Sequence, residues 1–158
     1  MARPNKGQRD QMMVYPPEAL ACILRSYADA IDVPHGEYIA SVLAERLGHP
    51  YWAAAEVRLH PGGLTAMLDA AEVSAPEVDA AAWRARAVFV TKPVKALGDV
   101  IRAAAAKDSM SLTGFITSHL AAFHGVDLDA HTIEPRRGTE MLNTEHIVIR
   151  EEVQQLLA

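Results

Sequence analysis

The chain has 158 residues, half of them hydrophobic, with a mean hydropathy of +0.02. It can therefore bury a core and is not disordered overall. A formal net charge of −5 excludes a globally basic coat for nucleic acid, and the single Cys22 excludes an internal disulfide framework or a cysteine zinc cluster. Aromatic residues are only 6% and alanine dominates the apolar share, which favours packed helices over a β-sandwich. No apolar run approaches the roughly 20 residues that span a bilayer. The opening MARPNKGQRD lacks the apolar centre of a signal peptide. The expectation is a soluble, cytoplasmic protein with no membrane partner.

Residues 1–8 read as a flexible basic arm carrying Arg3 and Lys6, because Pro4, Asn5 and Gly7 discourage regular structure. Residues 9–15, from Arg9 through Gln11 and Met13 to Tyr15, form a short β-prone run that Pro16-Pro17 ends. Proline suits the first turn of a helix, where its missing N–H has no partner to lose. Leu20, Ile23, Leu24, Tyr27 and Ile31 then recur at helical spacing. A break at Asp32-Val33-Pro34-His35-Gly36 precedes a second helix with Tyr38, Ile39, Val42, Leu43 and Leu47, and Gly48 sits where a C-terminal glycine belongs.

Residues 49–85 are too long for a simple loop. Trp52 to Leu59 and Leu64 to Val73 read as helices, separated by His60-Pro61-Gly62-Gly63. Ser74 and Glu77 have the spacing of a capping box for a third helix, anchored by Trp83. The segment reads as a helical spacer, long enough to let the second half of the chain fold back on the first. A second β-prone run covers 86–92, with Arg86, Val88, Phe89, Val90 and Thr91, and ends at Pro93. Leu97, Val100, Ile101, Ala104 and Ala105 mark a helix, Asp108 to Ser111 a break, and Phe115, Ile116, Leu120 and Phe123 a second helix before Gly125. Residues 126–158 form an acidic tail. In it, 132–143 read as loop with Arg136 and Arg137, His146 to Ile149 as a strand and Glu151 to Leu157 as a short helix.

Charge is segregated along this order. Residues 84–107 hold Arg84, Arg86, Lys92, Lys95, Arg102 and Lys107 against Asp99 alone, whereas residues 49–83 hold Arg58 against five acids. Sliding the chain by 77 residues aligns 16–48 with 93–125 without a gap. Ten of the 33 positions are identical: Pro16/Pro93, Ala19/Ala96, Leu20/Leu97, Arg25/Arg102, Ala28/Ala105, Ile39/Ile116, Ser41/Ser118, Leu43/Leu120, Ala44/Ala121 and Gly48/Gly125. Upstream, Arg9 falls on Arg86. The pattern is a duplicated unit of strand, helix, turn and helix.

One such unit cannot stand alone. A single strand leaves its ladder groups unpaired, and two short helices bury too little surface. Two units solve both problems by pairing their strands as an antiparallel ribbon over four helices. Over roughly residues 9–48 and 86–125 the chain resembles the ribbon-helix-helix family of Arc/MetJ/CopG-type DNA-binding proteins. The likeness rests on element order and length, the strand-end proline, the helix stripe, and the entry to helix two at Gly36-Glu37-Tyr38-Ile39 or Thr113-Gly114-Phe115-Ile116. Family members normally dimerise with one unit per chain. Here the resemblance implies a tandem form, as in some plasmid conjugation accessory proteins: a mostly α fold with a short β ribbon, two ribbon-helix-helix units in one chain (1–48 with the arm, and 86–125) joined by a helical linker (49–85) and followed by the tail (126–158).

The resemblance further implies that outward side chains of the ribbon lie in a major groove and that the start of the second helix meets a phosphate. Two parities are open. If Met12, Val14, Phe89 and Thr91 face the core, then Arg9, Gln11, Met13, Arg86, Val88 and Val90 face out. The opposite parity sends Asp10, Met12, Val14, Ala87, Phe89 and Thr91 outward. The first is favoured because it exposes both arginines and Gln11 and turns Asp10 away. Ser111, Thr113 and Gly114 make the better phosphate site, since Glu37 at the other helix start repels an anion. Copy two departs from the family in offering mainly Arg86 beside the apolar Val88 and Val90.

Seven histidines carry no metal-ligand spacing, and His119 and His124 do not stack on one helix face. There is no GxSxG, phosphate loop, GxGxxG or obvious carboxylate pair, so neither a cofactor nor catalysis is expected. The reading is a sequence-specific binder of double-stranded DNA, a transcriptional repressor or a plasmid or phage accessory factor. Further partners would be a second copy on DNA or a protein bound by the acidic tail. The alternative is a protein-interaction or antitoxin-like module that keeps the fold with little DNA readout.

Overall fold

The two β-prone runs pair with each other. In the computed structural model, which describes residues 7–131, β1 (Met12–Val14) lies antiparallel to β2 (Phe89–Thr91), with Met12 opposite Thr91, Met13 opposite Val90 and Val14 opposite Phe89. Isolated bridges continue this register at both ends, Arg9 with Val94 and Pro17 with Arg86. Backbone bonds extend it further: the Lys95 N–H donates to the Gln8 carbonyl at 3.1 Å, and the Glu18 N–H to the Ala85 carbonyl at 2.8 Å. The regular strands are thus shorter than 9–15 and 86–92, because the prolines withhold ladder donors, yet the ladder runs into the first turn of both following helices.

Four main helices stand in two pairs: α1 (Glu18–Ala30) and α2 (His35–Arg46), and α5 (Lys95–Lys107) and α6 (Leu112–Phe123). Each helix of the second pair begins and ends 77 residues after its counterpart, as β2 does after β1. Pro17 and Val94 stand just ahead of α1 and α5, so the prolines end the strands and do not open the helices. All four helices close in the same way. In α2 the His49 N–H donates to the Ala44 carbonyl, and in α6 the Val126 N–H donates to that of Ala121, around Gly48 and Gly125 at positive φ. In α1 and α5 the left-handed position is held by Asp32 and Ser109.

The core lies between the ribbon and the helices. Met12, Val14, Phe89 and Thr91 point into it, and Leu20, Leu24, Leu43, Leu97, Ile101 and Leu120 are all buried there. Helix α2 is central: Tyr38 through Ala44 are buried without a break, and it packs against α1, α6 and β2. Its close approach to β2 requires Gly36, since a Cβ there would collide with the Val90 carbonyl oxygen. The same approach lets the buried Thr91 hydroxyl donate to the Gly36 carbonyl at 2.7 Å.

Residues 49–85 differ from the expected spacer. A 3₁₀ turn at Pro50–Trp52 leads to α3 (Ala55–Arg58), one turn where eight helical residues were expected, and then to α4 (Gly63–Ala71). Val57, Leu64 and Leu68 are buried in the common core, so the segment covers α1 and α2 and does more than connect. The helix expected from Ser74 does not form. Its start moves to Asp79, whose carboxylate accepts from the Ala82 N–H, and only a 3₁₀ turn, Ala80–Trp83, follows. Arg86 enters the ribbon ladder three residues later, which leaves no length for a helix. Two units divide the chain after Leu128. The second is described over Asp129–His131, a 3₁₀ turn; the strand and helix expected in the tail, with Arg136 and Arg137, lie outside the described residues.

Candidate nucleic-acid interface

The alternation of the two strands decides which side chains meet solvent. Inward residues occupy the even positions of β1 and the odd positions of β2, so Gln11, Met13, Val88 and Val90 lie on the outer face and are exposed. Arg9 and Arg86, at opposite ends of the ladder, are exposed too. The favoured parity therefore holds. The alternation also puts Tyr15 and Lys92 on this face. Carrying the period of two through the full runs 9–15 and 86–92 would have found both. The common register sets Gln11 across from Lys92, Met13 across from Val90 and Tyr15 across from Val88.

Local contacts hold several of these groups. One guanidinium nitrogen of Arg9 donates to the Lys92 carbonyl at 3.2 Å, tying the arginine to the neighbouring strand. The Tyr15 hydroxyl reaches along the face to Met13 Sδ at 3.7 Å. Asp10 is drawn off the face: its carboxylate takes two bonds from Arg102 on α5, at 2.8 and 2.9 Å. Those bonds hold its carboxyl below the ordinary aspartate range, against a smaller opposing effect of burial. Arg25, the counterpart of Arg102, bonds Glu18 at 2.6 Å and lies 5.3 Å from the Phe89 ring centre. Arg25 and Arg102 thus serve the frame, and Arg9, Arg86 and Lys92 give the outer face its positive charge.

The two starts of the second helices differ. At α6 the Ser111 hydroxyl accepts from the Gly114 N–H at 3.0 Å, so the cap already occupies that amide; Thr113 is half-buried beside it. At α2 the position ahead of the helix is Pro34, which has no side-chain cap to offer. A cavity there is lined by Arg9, Lys92, Gly36, Glu37, Val90 and Pro34. An adjoining cleft shares Arg9, Glu37 and Lys92 and adds Arg58, Tyr51 and Trp52, none of which the sequence singled out for this surface. The two basic side chains that line the α2 cavity offset Glu37, whereas Ser111, Thr113 and Gly114 form a capped helix start. Arg3 and Lys6 lie outside the described residues.

No protein-family model, curated protein or solved structure matches the chain. Among the described residues no group of three or more His, Cys, Asp or Glu side chains could hold a metal ion, and no helix is long and apolar enough to cross a membrane.

Proposed function

We propose that the chain is a sequence-reading, double-stranded DNA-binding protein of the ribbon-helix-helix kind, with two units in one chain acting as an internal pseudo-dimer. The observation that carries this reading is the outer face of the ribbon: eight exposed side chains from two strands in one register, with Arg9 and Lys92 at one end and Arg86 at the other. A two-stranded ribbon fits the major groove, and arginine and glutamine can each form two hydrogen bonds to a base edge. The 77-residue offset of every strand and main helix, and of the turn residues Asp32/Ser109 and Gly48/Gly125, supports the two-unit organisation. In this reading 1–48 and 86–125 are the units, 49–85 joins them, and the protein acts by occupancy, as a repressor or as a plasmid or phage accessory factor.

The test is selection of bound fragments from a random duplex pool by the full chain, followed by titration at several salt concentrations. Recovery of a shared sequence, with log K falling by about 0.9 per log unit of salt for each phosphate neutralised, is the expected result. Binding that ignores both sequence and salt would overturn it. The apolar stretch formed by Met13, Tyr15, Val88 and Val90 favours a second reading, a protein-interaction module, which predicts no selected sequence.

A further inference from the structure

We propose that the duplex this ribbon reads is non-palindromic, with one half recognised through hydrogen bonds and the other through thymine methyl groups. The inference rests on the DNA-binding reading above and goes beyond it. At one end of the outer face Gln11 lies across from Lys92, with Arg9 beyond them; at the other, Tyr15 lies across from Val88, with Arg86 beyond. Under the 77-residue offset Arg9 corresponds to Arg86, but Gln11 corresponds to Val88 and Tyr15 to Lys92.

A dimer of identical chains would repeat each side chain at both ends, and its target would mirror that symmetry. Here the ends share only an arginine. Gln11 and Lys92 bring amide and ammonium donors suited to the N7 and O6 of guanine and the N7 of adenine, and the Gln11 carbonyl suits the adenine amino group. Val88, 54% exposed, has no polar atom to offer a base, and the exposed Tyr15 ring directs its hydroxyl along the strand to Met13 Sδ. The apolar feature that base edges present in the major groove is the C5-methyl of thymine. Met13 and Val90, at the centre, make the apolar half continuous from mid-ribbon to Val88.

The experiment starts from duplexes selected by the full chain. The parent is expected to select a site whose halves differ, thymine-rich on one side only. Replacing those thymines by deoxyuridine should weaken binding roughly fourfold per methyl lost, and the same change in the other half should have little effect. A paired variant, Val88→Gln with Tyr15→Lys, gives both ends the same side chains and is expected to select a palindrome and to lose the deoxyuridine effect. Both residues are exposed, and an unchanged melting curve checks that the fold is kept. A palindromic site for the parent, or equal binding to thymine and deoxyuridine duplexes, would overturn the inference while leaving DNA binding intact. Failure to select any sequence would overturn the DNA-binding reading itself, and this inference with it.

Discussion

Met13 and Val90 face each other across the ribbon, and they also stand 77 residues apart in the chain. They are the one pair for which the strand register and the 77-residue offset coincide. The pair lies at the middle of the exposed face. Every other residue on that face has its counterpart on the far side of the pair, which is why differences between the halves become differences between the ends.

Replacing Arg86 with Ala should relax base preference at one end and cost about 1–3 kcal/mol of binding if the guanidinium contacts a base. Replacing Lys6 should weaken all sequences about equally and shallow the salt slope by about one unit. Mobility-shift titrations on a selected site measure both. If Arg9→Ala and Arg86→Ala each bind like the parent, the ribbon is not the reading surface.

Gly98 lies within α5, where exchange for Ala would ordinarily add up to about 1 kcal/mol of stability. Here a Cβ would stand 2.6 Å from Asp10 Cβ and 2.9 Å from its Cγ. Gly98→Ala should therefore destabilise, by about 1–3 kcal/mol, because Asp10 can yield only by giving up Arg102. Urea unfolding gives the answer, and a rise in the midpoint would show that Asp10 has room to move.

Truncating Leu43 or its counterpart Leu120 to Ala should cost about 2–5 kcal/mol each, since both are fully buried. The same range applies to Leu20, Leu24, Leu97 and Ile101. Losses below about 1 kcal/mol at most of these sites would place the helix stripes on the wrong face.

His124 is packed against Tyr27 and lies 3.1 Å from the Tyr38 hydroxyl, and burial lowers its pKa to about 4. Its neutral form is favoured by folding, so the unfolded chain binds the proton more readily. The contribution is complete above the ordinary histidine value of about 6.5 and is lost as pH falls from there to about 4. Burial and the nearby Arg46 push His119 in the same direction, with Asp108 opposing. Thermal melting should show stability dropping across this window, with a shallower drop for His124→Gln. An identical slope in that variant would assign the effect elsewhere.

Polar side chains were enough to favour one orientation of the ribbon, because Arg9, Gln11 and Arg86 share one alternation and Asp10 belongs to the other, and residues 11–15 and 87–91 do carry exposed and buried side chains in turn. The helix stripes were legible for the same reason: leucines three and four apart can share only one face. The linker was not. Its alanines favour helix locally, yet only short turns form at Ala55–Arg58 and Ala80–Trp83, and the burial of Val57, Leu64 and Leu68 depends on α1 and α2, which no local pattern reveals. At the candidate site the arginines were visible, but the capping of Gly114 by Ser111 and the capture of Asp10 by Arg102 were not. The first competes with the phosphate role expected there, and the second joins positions 92 residues apart.

Both strands of the ribbon belong to one polypeptide, and the consequence is kinetic as well as structural. A ribbon built from two chains dissolves on dilution, because its strands must find each other again. Here the partner strand is always tethered, so the melting temperature should not depend on protein concentration and the outer face should stay assembled at very low copy number. The cost falls on folding speed: strands some 77 residues apart must close a long loop before their contacts stabilise it, so the ribbon should form late, after the local α1–α2 and α5–α6 hairpins.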